Sequence, residues 1–237
     1  MPSLTNAVVL VTGANGGIGT EFVRAAVSHG AAKVYASART PRQWDDERII
    51  PLTLDVTDPA SIAAAAAAAD DVTILINNAG GIPPTASLLD VTEADLRQNM
   101  EINFFAPVLL ARAFAAILAA ADNAALIDMH SVASWHASGG PYRASKAAMW
   151  SATNSLRLEL APHGVLVTGV HVGYVDTPMA SHTNDPKMRP ADLVAKVFDA
   201  VENDVFEVVA DELSAHVKAG LSAPLEALYP QLSGNQP

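Results

Sequence analysis

The hydrophobic positions of this chain form short, continuous apolar runs that alternate with longer segments of helical periodicity. The runs are rich in Val, Ile and Leu, as is typical of strands buried on both faces of a sheet. Strands are predicted at 7–13, 33–38, 49–55, 72–78, 124–131 and 165–173, with an edge strand at 205–211. Helices are predicted at 17–29, 61–69, 93–121, 142–164 and 190–203. This alternation predicts an α/β fold with a doubly wound parallel sheet and helices on both of its faces.

Nothing along the chain marks a second domain. No linker, composition break or internal repeat interrupts the alternation of strands and helices. We therefore expect a single domain over residues 1–237, a length that suits one large α/β domain. The helix at 93–121 is apolar nearly all round, which predicts burial against both the sheet and a partner.

The composition excludes several classes of function. Half of the residues are hydrophobic and 16% are charged, so a sizeable core is expected and disorder is not. The formal net charge of -11 argues against nucleic acid as a partner, because a phosphate backbone needs a basic face. The lack of cysteine removes thiolate chemistry and disulfides and suits a cytoplasmic protein. We expect neither a signal peptide nor a membrane partner, since the alanine-rich segment at 61–69 is too short to cross a bilayer.

A glycine-rich turn with the sequence TGANGGIG, residues 12–19, joins the first predicted strand to the first predicted helix. Gly13, Gly17 and Gly19 permit a tight turn and let the phosphates of a ligand approach the backbone. The helix N-terminus behind them offers N–H groups and a partial positive charge. The turn indicates a phosphate-binding site, although a tight strand-to-helix connection alone would also explain it.

Tyr142 and Lys146 lie four residues apart in a segment predicted to be helical, so both side chains project from one face. A phenol beside an ammonium can act as an acid–base pair. It is also an ordinary pair of neighbours on a helix, and the two residues alone do not decide between these readings.

Both features belong to a longer series of motifs. In chain order these are TGxxxGxG at 12–19, NNAG at 77–80, Ser131, YxxxK at 142–146 and GxVxT at 173–177. In this order and on these elements, they resemble the motifs of the short-chain dehydrogenase/reductase family, from about Val8 to Thr177. The resemblance implies a Rossmann-like fold, a nicotinamide dinucleotide cofactor and oxidoreductase activity.

The sequence departs from the usual family pattern in three places. His130 stands where a second serine is common, and Val172 stands where a proline usually precedes the glycine. The segment between Ser131 and Tyr142 is slightly shorter than usual. Ser131 is therefore the expected catalytic serine, with Ser134 as its alternative.

The resemblance implies four catalytic residues and no metal. Tyr142 would be the general acid/base, and the ammonium of Lys146 is expected to lower its pKa from about 10 toward the working pH. Lys146 would also hydrogen-bond the nicotinamide ribose. Ser131 would hydrogen-bond the substrate carbonyl oxygen, where charge develops. Asn103 would hold a water molecule of a proton relay, although a polar residue that bends the helix is the alternative.

The same resemblance implies the residues that bind the dinucleotide. They are Gly13, Asn15, Gly17, Ile18, Gly19, Arg39, Asp55, Val56, Asn78, Ala79, Gly80, Tyr142, Lys146, Gly173, Val175 and Thr177. Enzymes that prefer NAD usually carry an acid after the second strand, where it binds the adenosine ribose. Here Ala38 occupies that position and Arg39 follows it, with Arg42 nearby. Because a guanidinium binds phosphate well, the expected cofactor is NADP(H), unless Arg39 is an ordinary surface arginine.

The substrate side is less sharply defined. Candidate residues are Trp135, His136 and Met179, with His182 and the turn at 81–84 near the mouth; packing or surface positions are the alternative for each. The segment at 178–190, which would form the lid, is short and polar and suggests an open site. The sequence does not choose among a small ketone, an aldehyde, a steroid and an acyl-carrier thioester, although the acidic chain disfavours the last.

Together the motifs predict an NADP(H)-dependent enzyme that interconverts a carbonyl and an alcohol on a small molecule by hydride transfer. The alternative is a dinucleotide-binding regulatory protein of the same fold with little or no turnover. An epimerase or dehydratase of nucleotide sugars would keep YxxxK but usually has GxxGxxG and a longer C-terminal region. A homodimer or homotetramer is expected, because the helices at 104–121 and 142–163 resemble the dimer helices of the family and carry broad apolar surfaces.

Overall fold

The computed structural model describes residues 1–137 and 140–233 and contains one parallel sheet of seven strands. The strands are β1 (Val8–Thr12), β2 (Lys33–Ala38), β3 (Ile49–Thr53), β4 (Ile74–Asn77), β5 (Ala125–Met129), β6 (Leu166–His171) and β7 (Glu207–Val209). Their order across the sheet is β3-β2-β1-β4-β5-β6-β7, and every neighbouring pair is parallel. The predicted doubly wound parallel sheet is confirmed, with β7 at its edge.

Helices connect the strands and also follow the last one. They are α1 (Gly17–Ser28), α2 (Pro59–Ala68), α3 (Glu93–Met100), α4 (Ala106–Ala120), α5 (Gly140–Leu160), α6 (Pro190–Glu202), α7 (Glu212–Gly220) and α8 (Leu225–Leu228). Short 3₁₀ turns lie at Val132–Ser134, Ala161–His163, Pro178–Ala180 and Pro230–Ser233. The sequence pattern did not predict α7 and α8.

Each face of the sheet carries its own apolar core, because successive side chains of a strand point to opposite faces. On one face, Val9 packs with Phe22 of α1 and Phe198 of α6, whose ring centroids lie 5.6 Å apart. On the other face, Leu10 packs with Phe114 of α4. All five side chains are fully buried. Burial of each large apolar side chain stabilises the fold by about 1.5–3 kcal/mol, so the two cores fix the helices on the sheet.

The sheet reverses its winding direction next to β1. From β1 the chain runs outward through β2 to β3, then returns to β4 on the other side of β1 and continues to β7. A crevice opens at such a switch point, outside the carboxyl ends of the strands. Because all seven strands are parallel, the segments that follow β1, β2, β4, β5 and β6 meet along this one edge. The motifs found in the sequence follow those same strands, so the fold gathers them there.

The long helix predicted at 93–121 is divided by a π-helical turn, Glu101–Phe105, between α3 and α4. The N–H of Ala106 donates to the carbonyl oxygen of Glu101, five residues back. A π-helical turn accommodates one residue more than an α-helical turn and often occurs at a functional site. Asn103, a predicted catalytic residue, lies in this turn and is buried.

The segment Glu93–Ala120 is long and apolar enough, by length and composition alone, to cross a membrane. In the structure the α4 residues Leu110, Phe114 and Leu118 are buried in the core against the sheet. Packing within this chain therefore accounts for the apolar character of that side of the helix.

Candidate active site

The turn between β1 and α1 is so tightly closed that it requires glycine. Gly13 has a φ of +68°, in the left-handed region. A Cβ on Gly19 would lie 2.3 Å from the carbonyl oxygen of Gly13, and a Cβ on Gly17 would lie 2.6 Å from Cγ2 of Thr177. α1 begins after Gly16 without a side-chain cap, so the N–H groups of its first turn remain available to an anion. The turn is a close-fitting backbone cradle at the switch point.

The NNAG segment after β4 is fastened directly to this turn. Oγ1 of Thr12 accepts hydrogen bonds from the N–H groups of Asn78 (2.9 Å) and Ala79 (3.0 Å). Nδ2 of Asn78 donates to the carbonyl oxygen of Thr12 at 2.8 Å. A Cβ on Gly80 would lie 3.2 Å from Oδ1 of Asn103 and 3.9 Å from Nζ of Lys146. The structure therefore brings the predicted cofactor residues 13, 78, 79 and 80 together and places them beside two predicted catalytic residues.

Ser131, Tyr142 and Lys146 converge at the carboxyl end of β5. The Ser131 hydroxyl lies close enough to Tyr142 to act on the pKa of its phenol, and it donates to the carbonyl oxygen of Val172 at 3.3 Å. Nζ of Lys146 lies 5.8 Å from the centroid of the Tyr142 ring and donates to the carbonyl oxygen of Met129 at 2.7 Å. Ser131 also accepts from the N–H of Ala133, at 3.2 Å, and is thereby fixed in orientation. Ser134, the alternative serine, is buried, and its hydroxyl makes no hydrogen bond to the residues that the structure describes.

Burial, rather than the lysine, sets the direction of the pKa of Tyr142. Burial raises the pKa of the phenol, and the nearby hydroxyl of Ser131 opposes that rise. Burial lowers the pKa of Lys146 to about 8, and the carboxylate of Asp128 opposes that fall. The expectation that Lys146 lowers the pKa of Tyr142 is therefore not met in this structure, because the ammonium is directed to the Met129 carbonyl. At neutral pH the phenol carries its proton and the lysine is mostly charged.

Asn103 links the turn after β4 to the catalytic helix. Its Nδ2 donates to the carbonyl oxygen of Gly81 (2.8 Å) and to Oγ of Ser145 (3.1 Å). Its Oδ1 accepts from the N–H of Gly81 at 3.0 Å. The side-chain amide is thus engaged with protein on both sides, and it holds α5, Gly81 and the π-helical turn in one arrangement.

Comparison with known proteins agrees with this geometry. Residues 7–188 match the family model described as short chain dehydrogenase. The chain belongs to the short-chain dehydrogenase family. A crystal structure of a short chain dehydrogenase from Burkholderia cenocepacia in complex with NADP is 33% identical, with a TM-score of 0.89 over 97% of this chain and 99% of that one. The NADPH-bound carbonyl reductase from chicken fatty liver is 30% identical, with a TM-score of 0.76 over 86% and 92% of the two chains.

A curated relative is similar over a shorter stretch. The NADPH-dependent 1-acyldihydroxyacetone phosphate reductase of Schizosaccharomyces pombe is 34% identical over 184 residues, which are 73% of this chain. The match spans 61% of that relative's own length. Membership of the family places this chain among oxidoreductases.

Asp128 is a buried residue of the candidate site that the motifs did not indicate. It lies on β5, accepts from Nδ2 of Asn77 at 2.9 Å and from the hydroxyl of Thr153 at 2.8 Å, and has a pKa raised by burial. Its charge acts on Lys146. The only sequence signal was a carboxylate inside a strand that is otherwise apolar, and its importance depends on the fold bringing Lys146 next to it.

We expect Asp128→Asn to lower the pKa of Lys146 further, because the carboxylate that favours the charged ammonium is removed. The alkaline limb of the pH profile of kcat should then move to lower pH, by about one unit or less. Steady-state reductase assays between about pH 6 and 10, a range that includes the pKa of Lys146, measure the shift of the alkaline limb. Asp71→Asn, which removes a carboxylate paired with Lys33, is the matched control and should leave the limb in place. An unshifted limb in Asp128→Asn would show that Asp128 does not act on Lys146.

Two arginines flank the far end of the crevice. Arg39 is exposed just after β2. The guanidinium of Arg42 stacks over the ring of Trp44, 3.9 Å from its centroid. Asn15 ties this loop to the glycine turn, because its Nδ2 donates to the carbonyl oxygen of Thr40 at 2.8 Å. Both cations therefore stand at the edge where the resemblance places the adenosine ribose.

The predicted adenine-side pair lies after β3. The carboxylate of Asp55 accepts from the N–H (2.9 Å) and the hydroxyl (2.7 Å) of Thr57, and these bonds lower its pKa. Arg39 acts on it in the same direction. Val56 packs against the core beside α2 and α4.

The loop after β6 is held by a carboxylate instead of the usual proline. The N–H of Gly173 donates to Oδ2 of Asp211 at 2.6 Å, and Oδ1 of Asp211 caps α7 through the N–H of Ser214 at 2.7 Å. Val175 forms a bridge with Met188, and Thr177 contacts the glycine turn. Asp211 was not predicted, because it follows the last strand and is distant from the motif in sequence.

The candidate substrate residues separate into buried and exposed positions. Trp135 is 6% exposed and stacks on the buried ring of His171, with ring centroids 3.7 Å apart. These contacts fit the alternative that Trp135 is a packing residue. His136 is partly exposed at the substrate side, where its carbonyl oxygen accepts from Arg143 at 2.9 Å. Met179 is 44% exposed in the segment after Thr177. His182 is also exposed, and its ring lies 5.9 Å from that of Tyr174.

His130, at the position of the second family serine, forms part of a buried histidine pair. Its ring centroid lies 4.8 Å from that of His171, and neither of its ring nitrogens has a hydrogen-bond partner among the described residues. Nδ1 of His171 lies 3.3 Å from the carbonyl oxygen of Ser131. Burial lowers the pKa of both histidines, that of His171 to about 3. Both rings are therefore neutral at physiological pH, next to Ser131.

Proposed function

We propose that the protein is an NADP(H)-dependent reductase that interconverts a carbonyl and an alcohol on a small molecule. The observation that carries the proposal is the convergence of Ser131, Tyr142 and Lys146 beside the glycine turn. A regulatory protein without turnover has no need of a half-buried, protonated phenol next to a serine hydroxyl at this point of the crevice.

The residues present fit a nicotinamide dinucleotide. A side chain on Gly17 or Gly19 would fill the cradle at the N-terminus of α1, which suits the pyrophosphate. Lys146, Gly173, Val175 and Thr177 line the nicotinamide side by family resemblance, and Asn15, Ile18, Asp55 and Val56 line the other half. When bound, the dinucleotide supplies a hydride.

The chain's own residues manage the proton and the charge. Ser131 donates a hydrogen bond to the carbonyl oxygen, and Tyr142 donates its proton to that oxygen as negative charge develops there. Lys146 would hold the nicotinamide ribose, as the family resemblance implies, and Asn103 keeps α5 in register with Gly81. The balanced reaction converts a carbonyl, NADPH and one proton into an alcohol and NADP⁺. The raised pKa of Tyr142 suits the reductive direction, in which the phenol must start protonated.

NADP(H) is preferred over NAD(H) in this proposal because of Arg39 and Arg42. The position that would carry a ribose-binding acid is Ala38, so nothing there repels a 2′-phosphate. Two exposed guanidinium groups beside it can donate charge-assisted hydrogen bonds to that phosphate. The relatives bound to NADP or NADPH are consistent with this choice.

A fluorescence titration with NADPH and, separately, with NADH tests the cofactor. We expect NADPH to bind more tightly, and Arg39→Ala to weaken NADPH binding by about tenfold or more, since a hydrogen bond to a charged group contributes about 1.5–3 kcal/mol. NADH binding should hardly change. Arg24→Ala, an exposed arginine on α1, is the control and should bind both dinucleotides as the wild type does. Tighter binding of NADH would refute the proposed preference for NADP(H). Binding of neither dinucleotide would refute the proposed reductase function.

The remaining proposals concern the assembly and the location. We propose that residues 1–237 form one domain, with residues 178–190 as its lid. We also propose that the protein assembles as a homodimer or a homotetramer. Exposed apolar residues on the two expected dimer helices, Phe105 at the π-helical turn and Leu158 on α5, support an interface there. Light scattering of the purified protein measures the subunit number. The cytoplasmic location stays a prediction.

A further inference from the structure

Arg143 is a half-buried cation directly beside the reactive tyrosine, and neither the motifs nor the proposed mechanism uses it. It follows Tyr142 on α5. Its Nη1 donates to the carbonyl oxygen of His136 at 2.9 Å and lies 3.3 Å from Nδ1 of the same residue. Its Nε and Nη2 make no hydrogen bond to the residues described by the structure, so much of the guanidinium fork is available.

Among the residues that the structure describes, no carboxylate balances this charge. Within 1–137 and 140–233, no Asp or Glu lies within 4 Å of Arg143. The acidic groups that act on it are phenols, those of Tyr174, Tyr142 and Tyr229, while burial lowers its pKa. The chain has 25 acidic and 14 basic side chains, so a shortage of carboxylates does not explain the missing partner.

A second half-buried arginine, Arg157, offers a comparison within the same protein. Nε of Arg157 donates to the carbonyl oxygen of Val167 at 3.1 Å, and its Nη2 donates to that of Phe206 at 2.8 Å. Asp128 also acts on its charge. Arg157 is thus satisfied within the protein on several sides, whereas Arg143 is held through one nitrogen. A desolvated cation costs free energy unless it is paired, which points to a partner from outside the chain.

The surroundings of Arg143 suit a polar ligand at the mouth of the site. The hydroxyl of Tyr229 accepts from the N–H of Ala137 at 3.2 Å, and its ring lies 5.6 Å from that of His136. Tyr174, on the loop after β6, stands on the other side near His182. Arg143 therefore lies next to Tyr142, near both the C-terminal segment and the loop that carries the predicted nicotinamide residues.

We propose that Arg143 is an anion subsite, and that the substrate is a carbonyl compound with a carboxylate or phosphate that this guanidinium binds. The inference rests on the proposed reductase function. Neighbouring residues on a helix diverge by about 100°, so the anion and the carbonyl that meets Tyr142 are separated by several bonds. A planar guanidinium can hold either oxyanion through two parallel hydrogen bonds.

Matched pairs of acids and esters test the subsite. The probes are acetoacetate, 4-oxopentanoate and 5-oxohexanoate, each beside its neutral methyl ester, with dihydroxyacetone phosphate beside dihydroxyacetone as the phosphate arm. The measured quantity is the ratio of kcat/KM for the charged probe to that for its neutral partner. We expect at least one pair to favour the anion by about tenfold or more in the wild type, which corresponds to about 1.4 kcal/mol.

Variants separate anion binding from a structural role. Arg143→Met keeps much of the length without the charge and should bring that ratio close to one, while Arg143→Lys should retain part of it. If Arg143 only holds the loop at His136, Arg143→Met lowers both rates together and leaves the ratio unchanged, which overturns the proposal. Arg97→Met, on the exposed face of α3, is the control and should keep the wild-type ratio.

A direct measurement of ligand binding tests the subsite even if a variant is too unstable for kinetic assays. Calorimetric titration of the wild type, saturated with NADP⁺, should detect 4-oxopentanoate and not its methyl ester, and Arg143→Lys should weaken that binding. Wild-type preference for the esters in every pair would refute the subsite while leaving the reductase intact. Failure of every probe, charged or neutral, to be reduced with either dinucleotide would instead refute the proposed function, and the subsite with it.

Discussion

Tyr142→Phe is expected to lower kcat for carbonyl reduction by roughly 10²- to 10⁴-fold, the usual contribution of a general acid. The substitution removes only the hydroxyl that faces Ser131 and that would protonate the carbonyl oxygen. The ring stays beside Lys146, whose Nζ keeps its bond to the Met129 carbonyl. The Kd for NADPH should therefore stay close to the wild-type value. Stopped-flow or steady-state assays give kcat, and fluorescence titration of the same sample gives Kd.

Tyr35→Phe is the matched control, since it also removes one tyrosine hydroxyl. The Tyr35 hydroxyl lies toward the amino end of β2, where it accepts from Lys33 and donates to Asp71. The control should lose some stability, about 1 kcal/mol for a hydrogen bond, but keep its turnover. A Tyr142→Phe enzyme that turns over as fast as this control would remove Tyr142 from the mechanism.

The second large effect concerns stability in acid. Burial lowers the pKa of His171 from 6.5 to about 3 and moves that of His130 in the same direction. Below pH 6.5 the unfolded chain takes up protons on these residues while the native state does not, so protons favour unfolding. The free energy of unfolding should fall with pH in this window, by up to about 1.4 kcal/mol per unit for each histidine. For His171 the window extends from pH 6.5 down to about 3.

Other charges near His171 do not reverse this sign. Nε2 of His171 lies 3.5 Å from Oε1 of Glu207, which by itself would favour the charged ring. Lys218 already pairs with Glu207, however, and its charge lowers the pKa of His171, as do those of Lys146 and Arg157. Burial is the largest influence.

Urea unfolding at pH 7.5 and 5.5 measures the effect. We expect the wild type to lose stability between these two values, and His171→Asn to lose less than the wild type over the same interval. His163→Asn, at an exposed histidine after α5, should follow the wild type at both values. Equal stability of the wild type at pH 7.5 and 5.5 would contradict the assignment of neutral, buried rings.

The strands were predictable because a strand covered on both faces is continuously apolar, and all seven predicted runs contain a strand of the sheet. α7 and α8 were missed because their pattern is weak: Leu213 and Leu225 are exposed, so the short helices lack a clear apolar face. The break in the helix at 93–121 was missed although Pro107 lies just after it, in the first turn of α4, where proline is compatible with a helix. The polar residues of the turn itself, Glu101 and Asn103, do not by their pattern specify a π-helical turn.

Within the site, the residues that follow strand ends were predictable from local motifs. Their supporting partners were not, because the pairing depends on long-range folding. Asp211 holds Gly173 across 38 residues, and Asp128 meets Asn77 across 51. The protonation state of Tyr142 could not be predicted from local motifs either, because the pKa of the phenol depends on how far the fold shields it from water.

The π-helical turn makes the helical segment sensitive to length. Each residue of an α-helix turns the chain by about 100°. The extra residue at Glu101–Phe105 therefore sets the angular phase between α3, where Asn99 donates to the Gly81 carbonyl, and α4, where Phe114 enters the core. Shortening this segment by one residue would restore regular winding and rotate one of these contacts out of place. Evolution or engineering can therefore exchange side chains here far more freely than it can delete a position.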